Sequence, residues 1–230
     1  SRSRFLTSVL GGLYSSPELP STNFSLDFPN PLGIAAGMDK NGAAVPAWQS
    51  MGYGFSEIGG VTLHDQPGNP KPRMFRASAE KALVNRMGFN NIGAHALNDR
   101  LKNWKDRGLW PESPVGINLG KSKITKLEDA PKDYSGSLDI LWKHADFFVI
   151  NVSSPNTLGL RELQQSEHLD SILNECQKTN KAQSKKEGND MKPILVKIAP
   201  ELDDDYLKEI IKLIKKHKVS GIVATNTTIE

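Results

Sequence analysis

Short, nearly unbroken apolar runs recur along the chain at residues 32–36, 56–61, 115–119, 147–152, 194–198 and 221–225. Runs of this length without polar alternation are typical of parallel strands buried on both faces. Between them lie stretches in which apolar residues return every three or four positions, and these predict helices over 42–51, 92–107, 135–144, 168–181 and 204–217. In the last, Tyr206, Leu207, Ile210, Ile211, Leu213 and Ile214 fall at helical spacing, and Asp203 stands where an N-cap belongs. Strands alternating with helices predict an α/β fold on a parallel sheet, open or closed. Before the first core strand, Phe24, Leu26 and Phe28 alternate with polar residues and predict a short hairpin that plugs one end. Residues 178–192, rich in Lys, Asn, Gln and Glu, predict a solvated connection.

The polar residues choose between an open sheet and a barrel. An open nucleotide-binding sheet carries a glycine-rich G-x-G-x-x-G turn after its first strand. Here the first strand runs into Gly37-Met38-Asp39-Lys40-Asn41-Gly42, which does not fit. Instead, polar groups recur at the carboxyl ends of successive strands: Lys40, Thr62, Asn118, Asn151, Lys197 and Asn226. One polar group per strand at the same end is how a (β/α)8 barrel assembles a site. The pattern supplies roughly six of the eight units, so the chain is expected to be an incomplete barrel.

Two stretches concentrate the chemistry. The apolar run Phe147-Phe148-Val149-Ile150 opens directly into Asn151-Val152-Ser153-Ser154-Pro155-Asn156-Thr157. Amides and hydroxyls at the mouth of a buried strand must be paired or must meet a ligand. Lys197 lies inside Ile194-Leu195-Val196-Lys197-Ile198. A lysine there needs a partner for its charge or loses its proton. It can form a Schiff base as in an aldolase, stabilise an anion, or snorkel to solvent.

Composition narrows the class. With 37% hydrophobic and 24% charged residues, the chain reads as an ordinary globular domain. No run reaches the roughly 18 apolar residues of a spanning helix. A net charge of +3 is too weak to argue for nucleic acid, and basic residues are not interleaved with aromatics. The single cysteine, Cys176, rules out a disulfide within the chain. His64, His95, His144, His168 and His217 lack metal-ligand spacing, so no metal is expected.

Taken together the motifs resemble one family. They are Gly33-Ile34-Ala35-Ala36-Gly37-Met38-Asp39-Lys40, Asn85-Arg86-Met87-Gly88-Phe89-Asn90, Asn118-Leu119-Gly120-Lys121, the 151–157 stretch, Val196-Lys197-Ile198-Ala199-Pro200 and Thr225-Asn226-Thr227-Thr228. In this order they are similar to dihydroorotate dehydrogenase, an FMN-containing (β/α)8 barrel that oxidises dihydroorotate to orotate in pyrimidine biosynthesis. The resemblance implies that Ala36, Gly37, Lys40, Gly60, Asn118, Asn151, Lys197 and Thr225 border the flavin. It implies that Lys40, Asn85, Arg86, Met87, Gly88, Phe89, Asn151, Asn156, Asn226 and Thr227 hold the substrate, Arg86 to Phe89 through their backbone. Asparagines suit orotate because each offers a donor and an acceptor to a flat ring edged with both, and Lys40 balances negative charge. At Gly60 relatives often carry serine or threonine, so only backbone contributes there.

The same resemblance implies a base, Ser154, which takes the C5 proton while a hydride leaves C6. Serine is a poor base at neutral pH, so a relay is needed, and Thr157 is the candidate for its next hydroxyl. The soluble branches of the family use cysteine at this place and the quinone-reducing, membrane-associated branch uses serine. This chain is therefore expected to pass electrons to quinone, with fumarate or NAD as the lesser reading. Residues 1–22 are expected to be the remnant of a segment that lies on the membrane and shapes the quinone tunnel, with 5–14 its helical tail. Residues 23–230 are expected to be the FMN-binding barrel domain, incomplete at its C-terminus and so poor at holding flavin. The expected location is peripheral on the bacterial inner membrane, or alternatively on the mitochondrial one. The rival readings are a Schiff-base aldolase on Lys197, a non-catalytic pyrimidine-binding homologue, and an FMN barrel acting on another pyrimidine.

Overall fold

The computed structural model of the protein describes residues 4–14, 19–153 and 166–228. In chain order its elements are α1 (Arg4–Leu13), β1 (Ser21–Asn23), β2 (Leu26–Phe28), β3 (Gly33–Ile34), α2 (Val45–Ser50), β4 (Phe55–Val61), β5 (Met74–Ala77), β6 (Ala82–Asn85), α3 (Gly93–Asp106), β7 (Val115–Leu119), α4 (Ala130–Leu141), β8 (Phe147–Asn151), α5 (Ser166–Glu187), β9 (Ile194–Ile198), α6 (Asp204–Lys216) and β10 (Gly221–Ala224). Six strands form one parallel sheet in the order β10-β9-β8-β7-β4-β3. Spatial order follows chain order without reversal. A doubly wound sheet reverses at a switch point, so this sheet is wound one way only, as the first six units of a (β/α)8 barrel are.

The two faces of the sheet bury different cores. Ile58, Ile117, Phe148, Ile150 and Val196 point outwards and pack with Leu97, Leu101, Tyr134, Leu138, Leu173 and other helix residues in one large cluster. The inner face carries a smaller cluster, Phe147, Val149 and Leu195, with Leu26, Phe55 and Val223 against it. Leu26 comes from the β1–β2 hairpin, which pairs antiparallel and plugs this end as expected. The Phe55 ring stands edge-on to Phe28 at 5.5 Å and to Phe147 at 6.4 Å. These rings need the missing side chains of Gly33 and Gly116, where a Cβ would lie 2.2 Å from Phe55 and Phe147 respectively.

One sequence expectation changes, and two features are new. Residues 178–187 are not a connection but the continuation of α5. Lys, Gln and Glu are strong helix formers, and buried Asn180 anchors the turn by accepting from Trp142 Nε1 at 2.9 Å and donating to the Lys192 carbonyl at 2.8 Å. A second hairpin, β5–β6, was not anticipated, because Met74, Phe75, Leu83 and Val84 are exposed and give no alternation between buried and solvated positions. Cys176 is fully buried in the outer core, and burial pushes its thiol up, which makes it inert rather than reactive. The Asp203 cap forms as read, accepting from the Tyr206 N–H at 2.8 Å. No helix among the described residues is long and apolar enough to cross a membrane.

Candidate active site

Polar residues gather where the strands end. The loop after β3 is held by Asp39, a buried carboxylate that accepts from the N–H groups of Ala43 (2.7 Å) and Ala44 (2.9 Å) and from Trp48 Nε1 (3.1 Å). Its carbonyl accepts from the Gly59 N–H, and the Gly37 N–H donates to the Gly59 carbonyl at 2.6 Å. These bonds pin Ala36, Gly37 and Lys40 against the end of β4. There the register with β7 slips: Gly59 pairs with Asn118, but Val61 pairs with Leu119. Gly60 is the extra residue of this bulge, and bulges of this kind re-aim the chain beside functional sites.

The segment after β6 closes the other side. The Met87 N–H donates to Asn85 Oδ1 at 3.3 Å, and Asn91 ties the turn by donating to the Phe89 carbonyl at 2.7 Å and to Thr62 Oγ1 at 2.9 Å. Phe89 adopts φ +50°, a left-handed conformation that only such over-determination maintains in a bulky residue. Thr62, which the strand-end pattern also singled out, is used up here and does not face the cavity.

The resulting cavity, about 180 Å³, is lined by Ala36, Gly37, Lys40, Gly60, Met74, Asn85, Met87, Gly88, Phe89, Asn151, Lys197, Asn226 and Thr227. All but Met74 are residues that sequence reading assigned to flavin or substrate. Asn118 lies directly beneath, fully buried, and accepts from Asn151 Nδ2 at 3.0 Å. Two assigned residues stand apart. The Arg86 side chain turns away to the Pro72 carbonyl at 2.9 Å, leaving its backbone to the turn. Thr225 is exposed, its hydroxyl donating to the Asn226 carbonyl at 3.0 Å. Ser154, Asn156 and Thr157 lie outside the described residues.

The electrostatics are those of an anion site. Burial, and secondly the nearby Arg73 charge, lower the affinity of Lys40 for its proton, and an anionic ligand would offset both. Lys197 is also buried. No carboxylate is among the described residues that line the cavity, although buried Glu57 interacts with the Lys197 charge.

Two residues went unrecognised in the sequence. Glu57 is a lone carboxylate inside the buried strand β4, the same signal that drew attention to Lys197, and it accepts from Asn118 Nδ2 at 2.6 Å. Tyr134 left no comparable signal. It reaches from α4 through the core to donate to the Asn151 carbonyl at 2.8 Å. Burial raises its own pKa well above the ordinary tyrosine value, so it stays a neutral donor.

The comparisons with known proteins agree with this geometry. Residues 18–230 match the family model for dihydroorotate dehydrogenase. Curated relatives named dihydroorotate dehydrogenase (quinone) include those of Gloeobacter violaceus (51% identical over 98% of this chain and 60% of the relative) and Chloroflexus aurantiacus (48%, over 100% and 62%). A third, from Nostoc punctiforme, is 52% identical over 94% of this chain and 55% of the relative. The chain thus spans little more than half the length of the curated relatives it matches. Among solved structures, DHODH in complex with ferulenol from Eimeria tenella superposes with a TM-score of 0.87 at 34% identity, covering 99% of this chain and 67% of that one. The ligand-free form from the same organism gives 0.84 at 36% identity, over 98% and 68%.

Proposed function

Because the chain belongs to the dihydroorotate dehydrogenase family, we propose that the protein it is part of oxidises (S)-dihydroorotate to orotate in pyrimidine biosynthesis. FMN is the hydride acceptor and a quinone the final electron acceptor. The observation that carries this reading is the donor set around one cavity: Asn85, Asn151 and Asn226 with Lys40 and Lys197. Amides suit the alternating N–H and C=O edges of a pyrimidine and of a flavin. A half-buried lysine, Lys40, and a buried one, Lys197, suit the substrate carboxylate and the charge that develops on a reduced flavin. The residues therefore fit FMN: Ala36, Gly37, Lys40, Gly60, Asn118, Asn151, Lys197 and Thr225 would hold it, and when bound it supplies a two-electron acceptor.

The chain's own residues then have distinct work. Lys40, Asn85, Asn151, Asn156, Asn226, Thr227 and the backbone of Arg86, Met87, Gly88 and Phe89 orient the pyrimidine. Ser154 takes the C5 proton and Thr157 passes it on. The Phe89 ring, at the inner wall, helps exclude water. None of the relatives named above is an aldolase, which leaves a Schiff base on Lys197 without support.

For the quinone and the membrane, the support is the name that the relatives carry, dihydroorotate dehydrogenase (quinone), and the character of α1. Phe5 and Leu13 are 74% and 73% exposed, with Val9 and Tyr14 also exposed. An amphipathic helix with such residues suits peripheral contact with a membrane surface, here the inner membrane of a bacterium. The test uses the full-length protein under anaerobic conditions. Dihydroorotate should bleach the flavin band near ~450 nm, a soluble quinone should restore it faster than fumarate or NAD, and Ser154→Ala should slow bleaching by about 100-fold or more while flavin stays bound. Absence of bleaching in the wild type would remove the catalytic reading, and near-normal bleaching in Ser154→Ala would remove Ser154 as the base.

A further inference from the structure

Glu57 is 6% exposed and stands at the foot of a chain of amides. Its Oε1 accepts from Asn118 Nδ2 at 2.6 Å, and the Ala36 N–H also bonds its carboxylate. Asn118 Oδ1 accepts from Asn151 Nδ2 at 3.0 Å. Asn151 Oδ1 then accepts from the Ser153 N–H at 3.2 Å, from Ser153 Oγ at 2.9 Å and from Asn226 Nδ2 at 3.5 Å. Asn226 Nδ2 also reaches Ser153 Oγ at 3.0 Å, and Asn226 Oδ1 accepts from the Thr227 N–H at 2.8 Å.

A primary amide presents similar shapes in both of its orientations, so an isolated asparagine turns over at little steric cost. A chain of them keeps one direction only if its ends are fixed. Here one end is a carboxylate, which in its ionised form can only accept, and the other is backbone N–H, which can only donate. Both ends demand the same direction. Each amide along the chain spends one hydrogen on its predecessor, which leaves one further hydrogen on Asn151, which lines the cavity, and one on Asn118, buried beneath it. Burial raises the Glu57 pKa, and the facing Lys197 charge with the Asn118 bond pulls it back towards the ionised form.

We propose that Glu57 is a positioning residue that fixes the direction of the Asn118–Asn151–Asn226 chain, so that the cavity offers N–H donors and selects ligands with carbonyl oxygens or ring nitrogens at their edge. The inference rests on the functional reading above only for the identity of the ligand, a pyrimidinedione carboxylate. Nothing in it requires Glu57 to touch substrate.

The experiment measures binding, not turnover. Full-length holoenzyme, wild type and Glu57→Gln, is titrated with orotate and with an analogue in which one ring carbonyl is replaced by an amino group. A reversed donor–acceptor match costs roughly 10- to 100-fold in affinity. Wild type should therefore prefer orotate by about 100-fold, and Glu57→Gln, whose amide can donate as well as accept, should reduce that preference to within about 10-fold. Glu57→Asp, which keeps an obligate acceptor, should retain it. Were Glu57 only a counter-charge for Lys197, Glu57→Gln would weaken both ligands alike, and an unchanged ratio overturns the proposal. If Glu57→Gln yields no folded holoenzyme, Asn118→Ala cuts the same chain one link further along and is read by the same ratio, an unchanged value again overturning it. A wild type that binds neither flavin nor orotate would instead refute the functional reading.

Discussion

The Phe89 ring sits between two glycines, and this arrangement allows a quantitative test. A Cβ on Gly60 would stand 2.6 Å from Phe89 Cε1 and 3.0 Å from Cδ1. A Cβ on Gly120 would stand 3.0 Å from Cε2 and 3.1 Å from Cζ. Comfortable carbon contacts lie at about 3.5–4.0 Å. Gly60→Ala must therefore move the ring by about 1 Å, and the open space over Gly120 lets it slide. Gly120→Ala moves it by about half that in the opposite sense, towards Gly60. Overpacking of this kind costs about 1–3 kcal/mol, and each single substitution should fall in the lower half of that range because the ring has somewhere to go. The double substitution closes both exits and should exceed the sum of the singles by about 0.5–2 kcal/mol. The loss of glycine freedom in the unfolded chain adds a stabilising ~0.4–1 kcal/mol per site, but it appears in each single and cancels in the cycle. Urea denaturation of the four full-length proteins, followed by circular dichroism, measures the coupling. An additive double would show that the ring is not clamped. Because Asn118 Oδ1 would lie 3.1 Å from the same new Cβ, Gly60→Ala should also weaken binding of the proposed ligand, orotate, whereas Gly120→Ala should do so less.

Three further outcomes are expected. Tyr134→Phe leaves the buried Asn151 carbonyl without its side-chain donor, so the protein should lose about 1–2 kcal/mol, and kcat should fall more than KM rises because β8 leads directly into residues 152–157; unchanged kcat in steady-state assays would detach Tyr134 from the site. Asp39→Ala removes an acceptor for two N–H groups and one indole N–H, and should cost about 3 kcal/mol or more in denaturation while weakening binding of anionic ligands by loosening the loop that carries Lys40. His144 is 7% exposed, and burial first, then Lys105 and Lys143, lower its pKa from 6.5 to about 4. The unfolded chain therefore takes up this proton first, so stability is full above pH ~6.5 and falls by at most about 3 kcal/mol as pH drops towards 4; His144→Gln should flatten that slope in denaturation curves taken between pH 7 and 4.5, and an unchanged slope would assign the effect to other groups.

What the sequence disclosed and what it hid have physical reasons. The strands were legible because parallel strands covered on both faces need unbroken apolar runs, and β7, β8 and β9 show all five residues buried. Asn151 and Lys197 were legible because a polar residue in such a run is costly unless it is used. Glu57 obeys the same rule, as the single carboxylate within the 56–61 run. Tyr134 was hidden because an aromatic at a helical core position reads as packing, and its hydroxyl finds Asn151 only in three dimensions. The β5–β6 hairpin was hidden because it is exposed on both faces, so burial imposes no period on it.

The position of the site follows from the stagger of the sheet. Gly116 pairs with Glu57, and Asn118 lies two residues further along the same strand face; Val149 pairs with Asn118, and Asn151 again lies two residues further. The Glu57–Asn118 and Asn118–Asn151 bonds therefore link diagonal neighbours on the inner face, the closest same-side contacts available after direct pairs. In a closing sheet successive strands are offset along their length, so polar residues that occupy different depths in their own strands meet in one connected row. Below that row the same inner face carries Phe55, Phe147, Val149 and Leu195, which the hairpin covers with Leu26. Moving the polar row down by one inward position would bury its amides against those rings, where no N–H or C=O remains to pair with them, at a cost of several kcal/mol per unpaired group. The floor must stay apolar for the sheet to hold its plug, which leaves the strand ends after Glu57, Asn118, Asn151 and Lys197 as the level at which this inner face can carry paired polar groups and meet a polar ligand.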